Sequence, residues 1–162
     1  MARRHGRAPR GRRCRLGVPL GQRRTTTLTA ALRTTGLFAT TMVEGATNGA
    51  RFRGYVTDTL LPALQPGDVV VLDNLRVHKV DGVRAAIEAA GARLLFLPPY
   101  SPDFKPIEQA FAKLKALLRS EAARTVADLR AALEHAFTQF TPQECRNYIT
   151  AAGYEDDEAV AT

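Results

Sequence analysis

No aspartate or glutamate precedes Glu44, although the first 43 residues hold ten arginines. Such a block points to a polyanionic partner, most often nucleic acid, or to a solvated basic arm that only aids solubility. Cysteine is scarce. Cys14 and Cys145 form no CxxC and no Cys/His pair at metal-ligand spacing, which argues against a disulfide scaffold or a zinc site and fits a reducing cytosol. No apolar run approaches the roughly 18 residues that a membrane span needs. The arginine-rich start also lacks the apolar segment of a secretory signal.

What is present is otherwise ordinary for a globular domain. The chain has 162 residues, 45% of them hydrophobic and 24% charged, enough for one domain with a moderate core. Its net charge of +7 is the exception. Residues 1–24 are rich in glycine, proline and arginine and read as a basic arm or loop. "TTTLTAALRTTGLFATTMVEG" alternates on either side of Thr35-Gly36, predicting a hairpin with strands near 25–33 and 37–43. Asn48 to Leu64 has helical spacing, with Phe52, Tyr55, Val56, Thr59 and Leu60 on one face, Asn48 as cap and Pro66-Gly67 as stop. "DVVVLD" is a short β-branched run, as in a strand buried on both faces, and "ARLLFLP" reads the same way. The amphipathic helix Val80 to Ala90 lies between them, so the three make a βαβ unit with parallel strands. Helices follow near 103–120, 126–139 and 142–152, and the acidic tail 154–162 is expected to fray. The sum is a mixed α/β sheet with flanking helices.

Two carboxylates stand out within this frame. Asp73 closes the strand "VVVL", and ligand sites in parallel sheets lie beyond the carboxyl ends of strands. Taken alone, Asp73 reads more readily as a turn former or helix cap than as a ligand site. The second strand runs into "LPPYSPDFKPIEQAFAKLK", where the prolines keep Leu97 and Ser101 extended. Asp103 is then the expected cap of the next helix, with Pro106 in its first turn. On that helix Ile107, Ala110, Phe111, Leu114, Leu117 and Leu118 share a face, and Glu108 falls at the rim beside Lys115. Alone, Glu108 is a favourable charge at a helix N-terminus. Together, the two acids are expected to converge at one sheet end and to bind Mg²⁺ or Mn²⁺ through hard oxygen ligands.

"VVVLDNLRVHK" followed by "GARLLFLPPYSPDFKPIEQAFAKLKALLR" resembles the DDE transposases of bacterial insertion sequences in the Tc/mariner superfamily. The motifs are LDN-x(3)-HK and PPYSPD-x(2)-PIE, with 34 residues between Asp73 and Glu108. The likeness extends through "GRAPRG", "TTTLTAALR" and "FTPQECRNYITAAGY". It implies a ribonuclease-H-like core over 25–122, C-terminal helices of the same domain over 123–153, and two-metal cutting and joining of DNA. Asp73 matches the family's second catalytic acid and Glu108 its third, both of them metal ligands. The first acid, on a central strand ahead of "RRHGRAPRG", has no counterpart, since Asp58 and Asp68 fall at the wrong places. The chain therefore reads as a partial catalytic domain lacking its central first strand, inactive alone.

DNA, as transposon ends and target, is the implied partner, and the location is the bacterial cytoplasm at the nucleoid. A second copy or a separate N-terminal transposase fragment is a further implied partner. Arg3, Arg4, Arg7, Arg10, Arg12, Arg13 and Arg15 are expected to contact phosphates, and Arg76, His78, Lys79, Lys105 and Lys115 are candidate DNA contacts, with structural support the open alternative for His78 and Lys79. The rival reading is a non-catalytic nucleic-acid-binding remnant held by phosphate contacts. A third is a distinct ribonuclease-H-like nuclease with its own acids.

Overall fold

The computed structural model describes residues 9–13, 25–154 and the backbone of 160–161. The Thr-rich stretch forms the expected hairpin, with β1 (Thr26–Arg33) antiparallel to β2 (Gly36–Glu44) and a bulge between Thr29 and Ala31. Helix α1 (Gly49–Tyr55) is capped by Asn48, whose side-chain oxygen accepts from the Arg51 N–H at 2.9 Å. It then widens into a π turn, Val56–Leu60, and tightens into a 3₁₀ turn, Leu61–Ala63. Pro62 explains the change, because its ring cannot donate to the carbonyl four residues back and crowds it.

The βαβ unit follows as β3 (Val69–Leu72), α2 (Val83–Ala89) and β4 (Arg93–Phe96). The strands are parallel, Val69 facing Arg93 and Leu72 facing Phe96. Helix α2 starts later than the pattern predicted, after Asp81 and a left-handed Gly82. Gly91 ends the unit's helix in the same left-handed region (φ +80), and a Cβ there would lie 3.3 Å from Pro66. Val69, Val70 and Val71 are buried, as the β-branched run predicted. Strand β4 corrects the expectation of burial on both faces: Leu94 is buried but Leu95 is 50% exposed. It is an edge strand with one covered face.

Helices α3 (Pro106–Glu121), α4 (Val126–Phe137) and α5 (Pro142–Ala151) complete the chain's helical layer. Thr125 and Asp128 form a reciprocal capping box on α4. Of the tail that was expected to fray, residues 155–159 and 162 lie outside the described residues, and β5 (Val160–Ala161) pairs in parallel with Val69 and Val70 of β3.

The class is the expected mixed α/β, but the hairpin and the parallel strands form two sheets, β1-β2 and β4-β3-β5. Side chains join them. Ala31, Val70 and Leu94 pack under α1 and α2, with Phe52, Val56, Val83 and Ile87. Leu32 turns to the opposite layer, where Leu114, Leu118, Leu133, Ala136, Ile149 and the fully buried Cys145 thiol meet. Arg33 also reaches across to the buried Asp68 carboxylate, which accepts from the Gln65 N–H as well. Between β1 and β3 lies a largely apolar cavity of about 370 Å³ that opens toward Asp73, His78, Lys105 and Glu108.

Candidate functional site

Asp73 is the first residue beyond β3. Its Oδ1 accepts from the Leu75 N–H at 3.1 Å, so the residue does form the turn that its Asp-Asn context suggested. That bond holds Oδ1, and Oδ2 is the oxygen that pairs with Lys105. The parallel ladder continues one step further, with Leu97 N–H donating to the Leu72 carbonyl at 2.8 Å, before the prolines begin.

The proline segment is not extended throughout. Tyr100 reverses it in the left-handed region (φ +58), Ser101 is not extended as expected (φ −114, ψ 65), and Pro102–Phe104 forms a 3₁₀ turn. Only the residue just before a proline is barred from helical backbone, and Tyr100 precedes Ser101. Asp103 therefore lies inside the 3₁₀ turn, and it does not cap α3 as expected. Lys105 holds the cap position instead, without a side-chain capping bond. Pro106 keeps it there (φ −114, ψ 88), outside the helix. From α5's end, Tyr154 donates its hydroxyl to the Phe104 carbonyl at 2.9 Å and ties the turn down.

These constraints put one ammonium between the two acids. Lys105 Nζ lies 2.9 Å from Asp73 Oδ2 and 3.0 Å from Glu108 Oε1. The two oxygens are thus no farther apart than 2.9 Å and 3.0 Å laid end to end. Asp73 is 18% exposed and held by its turn, whereas Glu108, in the first turn of α3, is 53% exposed. His78 packs its ring 4.4 Å from Phe52 and brings Nδ1 to 2.6 Å from Asp73 Oδ1. That contact lacks hydrogen-bond alignment, and His78 Nδ1 and the neighbouring Asn74 Oδ1 are both buried without a hydrogen-bond partner.

Burial pushes the Asp73 carboxyl up. Bonds from Lys105 and the Leu75 N–H, with the electrostatic influence of the adjacent His78 and Lys105, outweigh this and leave it below the ordinary aspartate value. Burial likewise pushes Lys105 down, but its bonds to both acids raise it above the ordinary lysine value. The ammonium form is therefore the resting one.

The other expected contacts are dispersed. Arg76 is exposed in the turn Arg76–His78, and Lys79 Nζ sits 5.6 Å from the centre of the Phe96 ring. Lys115 is exposed on α3, Arg10 and Arg12 are exposed in the turn closed by the Arg12 N–H to Pro9 carbonyl bond, and Arg13 is exposed just beyond it. Arg3, Arg4, Arg7 and Arg15 lie outside the described residues. Asp58 is exposed in the π turn, and Asp68 is consumed by Arg33, so neither reaches the site. Lys105 was readable only as a cation near the motif. Its i−3 spacing from Glu108 was the available signal for the pairing.

Among the described residues no three His, Cys, Asp or Glu side chains cluster as a metal cage. The two acids nevertheless already flank one ammonium nitrogen, with a carboxyl oxygen on each side. That donor set suits a hard divalent ion that takes its remaining ligands from water or substrate. The residues fit one such ion.

A family model described as DDE superfamily endonuclease matches residues 1–130. No curated protein matches the chain significantly. Among solved structures, the Mos1 transposase paired-end complex with left transposon end is similar (TM-score 0.75, 18% identity, 94% of this chain and 47% of that one). The catalytic domain of Mos1 mariner transposase is also similar (TM-score 0.64, 17% identity, 80% of this chain and 74% of that one). The chain thus has the fold of that ribonuclease-H-like catalytic domain, and it spans about half the length of the full transposase chain (47%).

Proposed function

Because the chain belongs to the DDE superfamily of endonucleases, we propose that it serves DNA transposition by an insertion sequence. The reaction class is metal-dependent phosphodiester cleavage and strand transfer, with Asp73 and Glu108 as the metal-holding acids and Mg²⁺ or Mn²⁺ as the ion. The observation that supports this reading is the convergence of both carboxylates on one ammonium beyond the carboxyl end of β3. A bound divalent ion supplies charge stabilisation for in-line phosphoryl displacement. The chain's own residues supply position. The Leu75 N–H fixes Asp73, the α3 N-terminus places Glu108, and Pro106 with Tyr154 sets the approach between them.

Transposon ends and target DNA are the proposed substrates, held by the basic residues around the site and in the N-terminal arm, on the nucleoid of a bacterial cell. A second copy or a separate transposase fragment completes the working assembly. The 162 residues tested alone are expected to bind DNA but cut it slowly or not at all. The two carboxylates suit one ion, whereas the reaction class is expected to use a pair, of whose charge they offset only half. Misplacement by about 1 Å costs on the order of 100-fold in rate.

The test is strand cleavage with Mn²⁺ on element ends, alongside binding to the same DNA. Binding without cutting, with cutting restored by a supplementary transposase fragment, is the expected result. Robust cutting by these residues alone, abolished by Glu108→Gln, overturns the proposed inactivity and supports the acid assignment. Absence of DNA binding overturns the function.

A further inference from the structure

We propose that Lys105 is a built-in surrogate cation, pairing Asp73 with Glu108 in the metal-free protein and leaving before a divalent ion can enter. This rests on the reading that the two acids hold that ion. One nitrogen serves both carboxylates, at 2.9 and 3.0 Å, and no other cation among the described residues comes as close to both. A divalent ion held by both acids would compete with it for the place between them. An ammonium and a divalent ion repel one another at such range, so the two cannot share the position.

The surrounding structure lets the side chain move while the backbone stays. Pro106 and the Tyr154–Phe104 bond hold the Lys105 main chain. Beside its side chain lies an open hollow lined by Pro102, Asp103, Gln109 and Ala112, where a displaced ammonium finds solvent and the Asp103 carboxylate. The pair must also contract. Oxygens near 3 Å from nitrogen have to approach a magnesium ion to about 2.0–2.1 Å. The exposed Glu108 is the partner free to make that movement, since Asp73 is held by its turn. In this arrangement Lys105 keeps two like charges together while no metal is present, and it sets a threshold concentration for the metal.

The experiment measures Mn²⁺ affinity by calorimetry and by loss of the free-ion paramagnetic signal, with no DNA present. Lys105→Met is expected to bind about tenfold or more tightly than the unsubstituted chain, a gain of about 1.4 kcal/mol. Lys105→Arg keeps the charge and is expected to bind no more tightly. Lys105→Met with Glu108→Gln should lose the gain. Circular dichroism checks folding, and Lys105→Gln replaces Lys105→Met if that variant fails to fold. Equal affinity with and without Lys105, abolished by Glu108→Gln, overturns the surrogate role and leaves the metal site standing. No binding by any variant overturns both.

Discussion

Glu144 accepts at both of its oxygens: Lys113 Nζ donates to one at 2.5 Å and the Tyr148 hydroxyl to the other at 2.5 Å. Lys113 also donates to the Gln139 carbonyl at 2.7 Å and sits 4.7 Å from the centre of the Phe140 ring, so one side chain joins α3 to the α4–α5 connection. Burial raises the Glu144 carboxyl. The Lys113 and Tyr148 bonds lower it by more, and the group ends below the glutamate value of 4.5. Its folded value is therefore lower than its unfolded one. The stabilisation is complete above pH 4.5 and is lost as pH falls from there through the folded value. Glu144→Gln is expected to lower stability at pH 7 by about 1.5 kcal/mol and to flatten the acid limb of a stability–pH curve. Urea titrations between pH 3 and 7 measure both effects, and an unchanged acid limb would place the pH dependence elsewhere.

At the scale of elements, α3 links the core to the site: its inner face anchors the helical layer while its first turn carries Glu108. Leu114 is fully buried in that face. Leu114→Ala is expected to cost about 3 kcal/mol through lost burial and the cavity left behind, measurable by denaturant unfolding. The helical spacing of Ile107, Ala110, Phe111, Leu114, Leu117 and Leu118 was legible because the period of α3 and the burial agree. The hairpin and the βαβ unit were legible for the same reason.

What was not legible depended on neighbours distant in sequence. Leu95 looks as apolar as Leu94, and only the uncovered face of an edge strand separates them. Asp103 has the chemistry of a cap, but Pro106 defines the first turn from the other side and leaves Lys105 at the boundary. The pairing of Val160–Ala161 with β3 is a long-range contact that two small apolar residues in an acidic tail do not announce. At the site, both acids could be read from spacing and motif. The position of the Lys105 ammonium could not, because it follows from a side chain's path.

For the whole molecule, the relevant quantity is its charge of +7 with the arginines concentrated at one end. If the proposed DNA contact is mainly to phosphates, affinity should fall steeply with salt and depend little on sequence. The expected log–log slope is about −0.9 per phosphate neutralised. Removing residues 1–15 is expected to flatten that slope by several such units, as read by fluorescence anisotropy across a salt series. A slope unchanged by the deletion would assign DNA attachment to the cations around the site.

The Cys145 thiol gives the same molecule an internal clock. It is fully buried, and burial with the neighbouring Glu144 charge holds its ionisation above the ordinary thiol value. Only an exposed thiolate reacts with a disulfide reagent. With Cys14 replaced by serine, labelling of Cys145 therefore counts how often the helical layer opens. If opening is global, Leu114→Ala should speed labelling on the order of a hundredfold, the factor that about 3 kcal/mol corresponds to. A rate indifferent to Leu114 would mean that α5 lifts away by itself, leaving the strands and the two acids in place.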